Sequence, residues 1–356
     1  MSALLLDVLR DPAAATRLDP AAWDLVLRQA RVERLHARLA ATLVDMGLLE
    51  EVVEPVRTRL RAYATMSESH DRGARWEVDR IAAALEGIDA PVVLLKGAAY
   101  LMSGLKVARG RLTDDVDILV PKERIGVVEE ALLGHGWEAV KVDAYDQEYY
   151  RKWMHELPPL RHRNRHSTVD VHHTILPETS RLHPDAKELL RTAVPLPDAP
   201  RILVLKPVDM VLHGSAHLFY DGAIAGGLRD LVDLDDLLRH FAREEAFWEE
   251  LLARAERLDL ARPLFYTLRY ASRILATPVP QGALERIAAH RPGRTALALM
   301  DRLAPAALVP AHPDRPSGGF ARWLLYVRSH WLRMPPHLLA YHLTTKGVKR
   351  LFGKPT

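Results

Sequence analysis

Two short apolar runs, Val92-Val93-Leu94-Leu95 and Val116-Asp117-Ile118-Leu119-Val120, constrain the fold of this chain more than any other feature. Each is too short for an amphipathic helix, and apart from Asp117 every residue in them is apolar. The first ends at Lys96-Gly97 and the second at Pro121, as buried strands entering turns do. Ala98 to Leu105 has room for a short helix between them. Lys122 to Leu133 is amphipathic and stops at Gly134 and Gly136, and Trp137 to Val142 reads as a third strand. His155 to Arg161 and Thr168 to Ile175 can pair across the turn-forming region of Asn164. The order is β-α-β-α-β followed by a hairpin, which predicts an α/β (α+β) core with a mixed sheet.

Both flanks of this core read as helical. Trp23 to Leu43 carries apolar residues at helical spacing after Asp19-Pro20, and Val52 to about Leu85 is a second long pattern, either unbroken or interrupted near Gly73. After the core, Pro195, Pro197 and Pro200 suggest a linker. Helices are then expected at Asp209 to Tyr220, Leu228 to Phe241, Phe247 to Leu258 and Arg262 to Leu275. The expected organisation is an N-terminal helical region over 1–90, a core over 91–200, a helical domain over 201–310, and a linker with a basic-aromatic segment over 311–356. That last segment suits a helix packed on the body, an oligomer contact or a membrane-surface helix.

Composition removes several function classes. With 49 Lys+Arg against 46 Asp+Glu, the formal charge of +3 is too small for a surface built on duplex phosphate contacts. The absence of cysteine excludes disulfides, thiolate metal sites and cysteine nucleophiles. The N-terminus lacks the basic region and cleavage site of a secretory leader, and there is no apolar run of about 18 residues. The cytoplasm is the expected location.

Asp115-Val116-Asp117-Ile118 is the segment that carries chemistry. On a strand, Asp115 and Asp117 share one face about 7 Å apart, while Val116 and Ile118 enter the core on the other. Two such carboxylates repel unless a cation joins them, and hard oxygen ligands suit Mg²⁺ or Mn²⁺. Upstream, Lys96-Gly97 places a positive charge and open backbone at a strand-to-helix turn, a site for phosphate oxygens. Downstream, Val169-Asp170-Val171-His172 sets a third carboxylate and a histidine on one strand face. Three carboxylates are what a two-metal site needs.

Taken together, strand-Lys-Gly, Arg-x-x-x-Asp-Val-Asp-Ile and Val-Asp-Val-His resemble the uncharacterised nucleotidyltransferase family of the DNA polymerase β-like superfamily. The segment from Asp209 to Leu238 also resembles that family's helical region, so the likeness spans about 90–240. The resemblance implies transfer of a nucleoside monophosphate from an NTP to a hydroxyl, with pyrophosphate released and two Mg²⁺ or Mn²⁺ ions at Asp115, Asp117 and Asp170. It also implies nucleotide binding by Lys96, Gly97 and Ala98. The second turn position, often Gly or Ser in the superfamily, is Ala98 here, and Lys96, Arg109 or Arg111 can compensate for the lost hydroxyl contact.

His172, Arg229 and Asp230 are candidates for the substrate side, although a strand histidine and helix-start carboxylates such as Asp230 and Asp233 also have structural uses. His213 and His217 share a helix face but lack the metalloprotease glutamate, because Gly214 follows His213. The basic run Arg161 to His166 offers an anion contact or a solvated hairpin tip. The acceptor is open: a small molecule, a peptide or protein side chain, or an RNA end, the last disfavoured by the modest charge. Two other readings stand beside this one, a non-catalytic nucleotide-binding module of toxin–antitoxin type and a phosphotransferase that moves the γ-phosphate.

Overall fold

The computed structural model describes residues 4–140, 150, 153–221, 224, 226–315, 317–339 and 344. The N-terminal region consists of α1 (Leu4–Arg10), α2 (Pro20–Val32), α3 (His36–Asp45) and α4 (Val56–Ala84). Asp19 starts α2 by accepting a 2.8 Å bond from the Ala22 amide, with Pro20 at the first helical position. The helix expected from Trp23 to Leu43 is two helices. Arg34 takes φ 58° and the Leu35 amide reaches back to the Ala30 carbonyl at 2.7 Å, the six-to-one bond that ends a helix. Buried Leu35 sits at the joint. By contrast, α4 runs through Gly73 as one 29-residue helix, about 44 Å long.

The core continues with β1 (Val92–Leu94), α5 (Lys96–Met102), β2 (Asp115–Leu119), α6 (Ile125–Gly134), β3 (Trp137–Ala139), β4 (Leu160–His162) and β5 (Thr168–His172). Lys141 and Val142, expected in the third strand, lie outside the described residues. After α7 (Ala186–Thr192) come β6 (Val194–Leu196) and β7 (Ala199–Val204). These two strands replace the linker inferred from Pro195, Pro197 and Pro200. β6 is the edge of the sheet, where a residue without an N–H is tolerated. The seven strands run in the order β3-β4-β5-β2-β1-β7-β6. β1 pairs antiparallel with β2 and parallel with β7, and β2 pairs parallel with β5, so the sheet is mixed as expected.

The remaining helices are α8 (Pro207–Ala216), α9 (Gly227–Phe241), α10 (Phe247–Arg257), α11 (Ala261–Leu275), α12 (Gln281–Ile287), α13 (Arg294–Leu308) and α14 (Gly319–Arg333). A five-residue π-helical turn, His217–Asp221, extends α8. Apolar side chains from α1 to α14 form one core cluster, with Trp23, Trp137, Phe219, Tyr266 and Tyr270 among its largest fully buried members. α14 packs on α13 and the π turn through Ala321 and Leu325, and exposes Phe320, Trp323 and Trp331 on its other face. No helix among the described residues is long and apolar enough to cross a membrane.

Buried ion pairs tie these parts together. Arg254 on α10 bonds Asp209 on α8 through both nitrogens at 2.8 Å and reaches Glu188 on α7 at 2.8 Å. Asp233 on α9 receives Arg111 at 2.6 Å and Arg38 from α3 at 3.2 Å.

Candidate active site

The geometry of the site follows from strand alternation. Val116 and Ile118 are buried in the core, which leaves Asp115 and Asp117 on the other face of β2. In the parallel pairing of β2 with β5, Asp117 is the direct register partner of Asp170, and Asp115 that of Thr168. Paired positions on adjacent strands are about 5 Å apart and project to the same side. The two carboxylates that sequence separation kept 53 residues apart are therefore lateral neighbours.

Asp117 is the best-supported member. Its Oδ1 accepts from Lys96 Nζ at 3.0 Å and lies 3.0 Å from His172 Nε2. Burial opposes ionisation of Asp117, but the Lys96 ammonium and the His172 bond outweigh it and hold the group well below the usual carboxylate range. Asp170 has no such support. Burial, then the negative charges of Asp117 and Glu156, push it up to about 7, and its buried Oδ1 has no hydrogen-bond partner. Asp115 is raised as well, by burial and by Asp117. His172 titrates above an ordinary imidazole. Burial opposes its charge, and the bond to Asp117 with the nearby Glu156 prevails. An orphaned buried carboxylate oxygen beside two further carboxylates is the donor set of a hard divalent cation, so the residues fit Mg²⁺ or Mn²⁺.

The turn after β1 is built for contact with what lies behind it. Lys96 takes φ 45°, a left-handed conformation that a side-chain-bearing residue adopts at a cost, and this brings its ammonium to Asp117. A Cβ on Gly97 would collide with Arg111 Nη1 and Thr113 Oγ1. Glycine is therefore required by this packing, and it brings the Arg111 guanidinium against the turn. Ala98 is 1 % exposed and its methyl belongs to the core.

The basic candidates separate. Arg111 is buried, bonded to Asp233 and to Thr113 Oγ1 at 3.0 Å, with its guanidinium 5.8 Å from the Tyr100 ring centre. Its pKa is raised: burial lowers it, and the Asp233 carboxylate more than compensates. Arg109 is not brought to the turn and pairs with Asp45 on α3 at 2.6 Å. A further charged group lies at the π turn and the start of α9. There Asp230 lies 3.5 Å from both His217 Nδ1 and Arg229 Nη2, and its pKa is lowered because these partners outweigh its burial. Burial and the Lys96 charge hold His213 well below an ordinary histidine.

Arg165, in the basic hairpin, is engaged rather than free. It forks onto Glu77 of α4 at 2.8 and 2.9 Å, with its guanidinium 5.3 Å from the Trp76 ring and 4.7 Å from Trp137. Beside this clasp is a cavity of about 330 Å³ whose lining includes Asp115, Thr113, Thr168, His70 and Trp76. A cavity of about 550 Å³ at the other end of the strands, lined by Pro91, Pro121 and His173, contains none of the three aspartates.

Sequence reasoning missed His155 and Glu156. With His172 they form a cluster whose ligand-type atoms all lie within 4.8 Å of one another. The segment pairs with β5 through a bridge between Glu156 and His172. Its only sequence signal was the adjacent His-Glu pair, which strand alternation would send to opposite faces.

A comparison of the sequence with curated proteins gave no match. The family model described as an uncharacterised nucleotidyltransferase matches residues 19–276, well over half of the chain and all of the site just described. The chain belongs to this nucleotidyltransferase family.

Proposed function

We propose that the protein transfers a nucleoside monophosphate from an NTP to a hydroxyl of an acceptor, with Asp115, Asp117 and Asp170 holding Mg²⁺ or Mn²⁺. The observation that carries this reading is the Asp117–Asp170 pair. One member is stabilised as an anion, and the other is left with a pKa near 7 and an unpartnered buried oxygen. The bound cations would supply Lewis-acid polarisation of the phosphoryl oxygens and ease ionisation of the acceptor hydroxyl.

The chain's own residues do the rest. Lys96 and Arg111 set positive charge beside the turn that faces the triphosphate. Asp170, one of the three carboxylates, also orients the acceptor hydroxyl and takes its proton. The acceptor oxygen forms a bond to the α-phosphorus as the bond to the β-phosphate oxygen breaks, and pyrophosphate leaves. His172 keeps Asp117 in place through its 3.0 Å contact. Arg229 and Asp230 serve the acceptor's side. A cytoplasmic reaction with NTP as donor belongs to this proposal.

A second reading, nucleotide binding without turnover, is favoured by one observation: the Lys96 ammonium already neutralises Asp117 Oδ1. The test is a thermal-shift titration with ATP, GTP, CTP and UTP, with and without Mg²⁺ or Mn²⁺, on wild type and on Asp115→Ala/Asp117→Ala. A metal-dependent rise lost in the double variant supports the site, and saturation at a hundredfold excess corresponds to about 2.7 kcal/mol. Acceptor screens with the responding nucleotide then separate the readings. Pyrophosphate release marks nucleotidyl transfer, nucleoside diphosphate release marks γ-phosphoryl transfer, and neither marks a binding module. No shift with any triphosphate rejects the proposal.

A further inference from the structure

We propose that His155, Glu156 and His172 form a second metal site, distinct from the three aspartates, that takes a borderline transition ion of the Zn²⁺ class. Three observations carry it. The first is the donor set. Two imidazoles and a carboxylate, with ligand atoms within 4.8 Å of one another, match a three-ligand zinc site that keeps one position open. Imidazole nitrogen selects Zn²⁺, Co²⁺ or Ni²⁺ over Mg²⁺, which prefers oxygen. Ligand atoms around a tetrahedral ion at about 2.0–2.2 Å stand about 3.4 Å apart, so closure needs side-chain movements of only about 1 Å.

The second is the tautomer. His172 Nε2 lies 3.0 Å from Asp117 Oδ1, and since a carboxylate oxygen accepts, that nitrogen is the donor. In the neutral form that binds a metal, with the Nδ1 proton displaced by the ion, the lone pair is then on Nδ1. This nitrogen makes no hydrogen bond, lies 3.4 Å from Glu156 Oε2, and belongs to a side chain that is 3 % exposed. A metal-bound histidine that donates its other N–H to a carboxylate is the usual arrangement around such ions.

The third is burial with continuity to the transfer site. His155 is 3 % and His172 2 % exposed, whereas the Glu156 side chain is partly exposed, at 19 %. His155 stands next to Glu156, and the local bend lets both reach the His172 ring rather than opposite faces of a strand. The His155 and His172 ring centres are 5.2 Å apart. An ion here sits one hydrogen bond from Asp117 and fixes its orientation through His172. The site uses neither Asp115 nor Asp170, so it stands whether or not the transfer reading holds.

The experiment strips the full chain with a chelator and titrates it with Co²⁺ and with Zn²⁺. It follows the visible absorption of cobalt and counts bound zinc by elemental analysis after dialysis. The expected result is one ion per chain, with a tetrahedral cobalt spectrum, in wild type and in Asp115→Asn. The ion should be lost in His155→Ala and bound at least about tenfold more weakly in Glu156→Gln. Glu156 is partly exposed, so E156Q carries the test should H155A fail to fold. Absence of a cobalt spectrum in wild type overturns the proposal. So does zinc binding that E156Q leaves unchanged, or binding that is lost in D115N.

Discussion

Asp117 and Asp170 are register partners on adjacent parallel strands, yet their surroundings drive their acidities in opposite directions. Lys96 and His172 both contact Oδ1 of the first, whereas at the second burial and the negative charges of Asp117 and Glu156 outweigh the influence of His172. Removing one charge from this pair therefore has a sign that depends on which member is changed.

Asp170→Asn relieves the repulsion and is expected to stabilise the metal-free protein by about 1–2 kcal/mol while abolishing the metal-dependent response to nucleotide. Chemical denaturation with and without Mg²⁺ checks both halves. A destabilised metal-free variant would contradict the account of Asp170 as the strained member.

Asp117→Asn removes the carboxylate shared by Lys96 and His172 and leaves two cationic partners without it. The expected loss is about 3 kcal/mol of stability, together with complete loss of transfer. Comparing the two variants in one set of unfolding curves separates this from a generic effect of Asp→Asn substitution on the strands.

Gly97→Ala places a methyl where Arg111 Nη1 and Thr113 Oγ1 lie. Since Arg111 is held between Asp233 and the turn, it cannot withdraw without breaking a buried ion pair. A cost of about 1–3 kcal/mol is expected, with weaker nucleotide response. A crystal structure of the variant would show Arg111 displaced, and an unmoved Arg111 would refute the packing argument.

Protons compete with cations for Asp170. Its folded pKa of about 7 lies above the unfolded value, so this carboxyl favours the fold fully at low pH, and that contribution is lost as pH rises through about 7. Metal affinity has the opposite sign. It should fall about tenfold per unit below pH 7 and level off above it. Titrations of Mn²⁺ by isothermal calorimetry at several pH values provide the measurement.

The strands that carry the aspartates were legible because their signals are local: apolar runs closed by Gly97 and Pro121, and alternation that assigns Asp115 and Asp117 to one face. Asp170 and His172 were found by the same alternation, although their adjacency to Asp117 is a matter of strand pairing. Arg109 and Arg111 are two positions apart and chemically identical, and only the distant carboxylates Asp45 and Asp233 decide where each goes. Pro195 hid β6 because an edge position does not need every amide. α13 was missed for a related reason, since Pro305 lies inside it, near its end. The division between α2 and α3 rests on one left-handed residue, Arg34, in a pattern otherwise continuous.

Asp233 bears on the order in which the chain can mature. Arg38 and Arg111 wait for a carboxylate that lies 195 and 122 residues downstream, respectively. A nascent chain that has completed the whole sheet still carries both guanidiniums without that counterion, because α9 has yet to emerge. The sheet therefore cannot settle into its final packing during synthesis until the helix bearing Asp233 arrives. A fragment ending before Gly227 should behave as an unfinished protein, prone to association, rather than as a portable catalytic module.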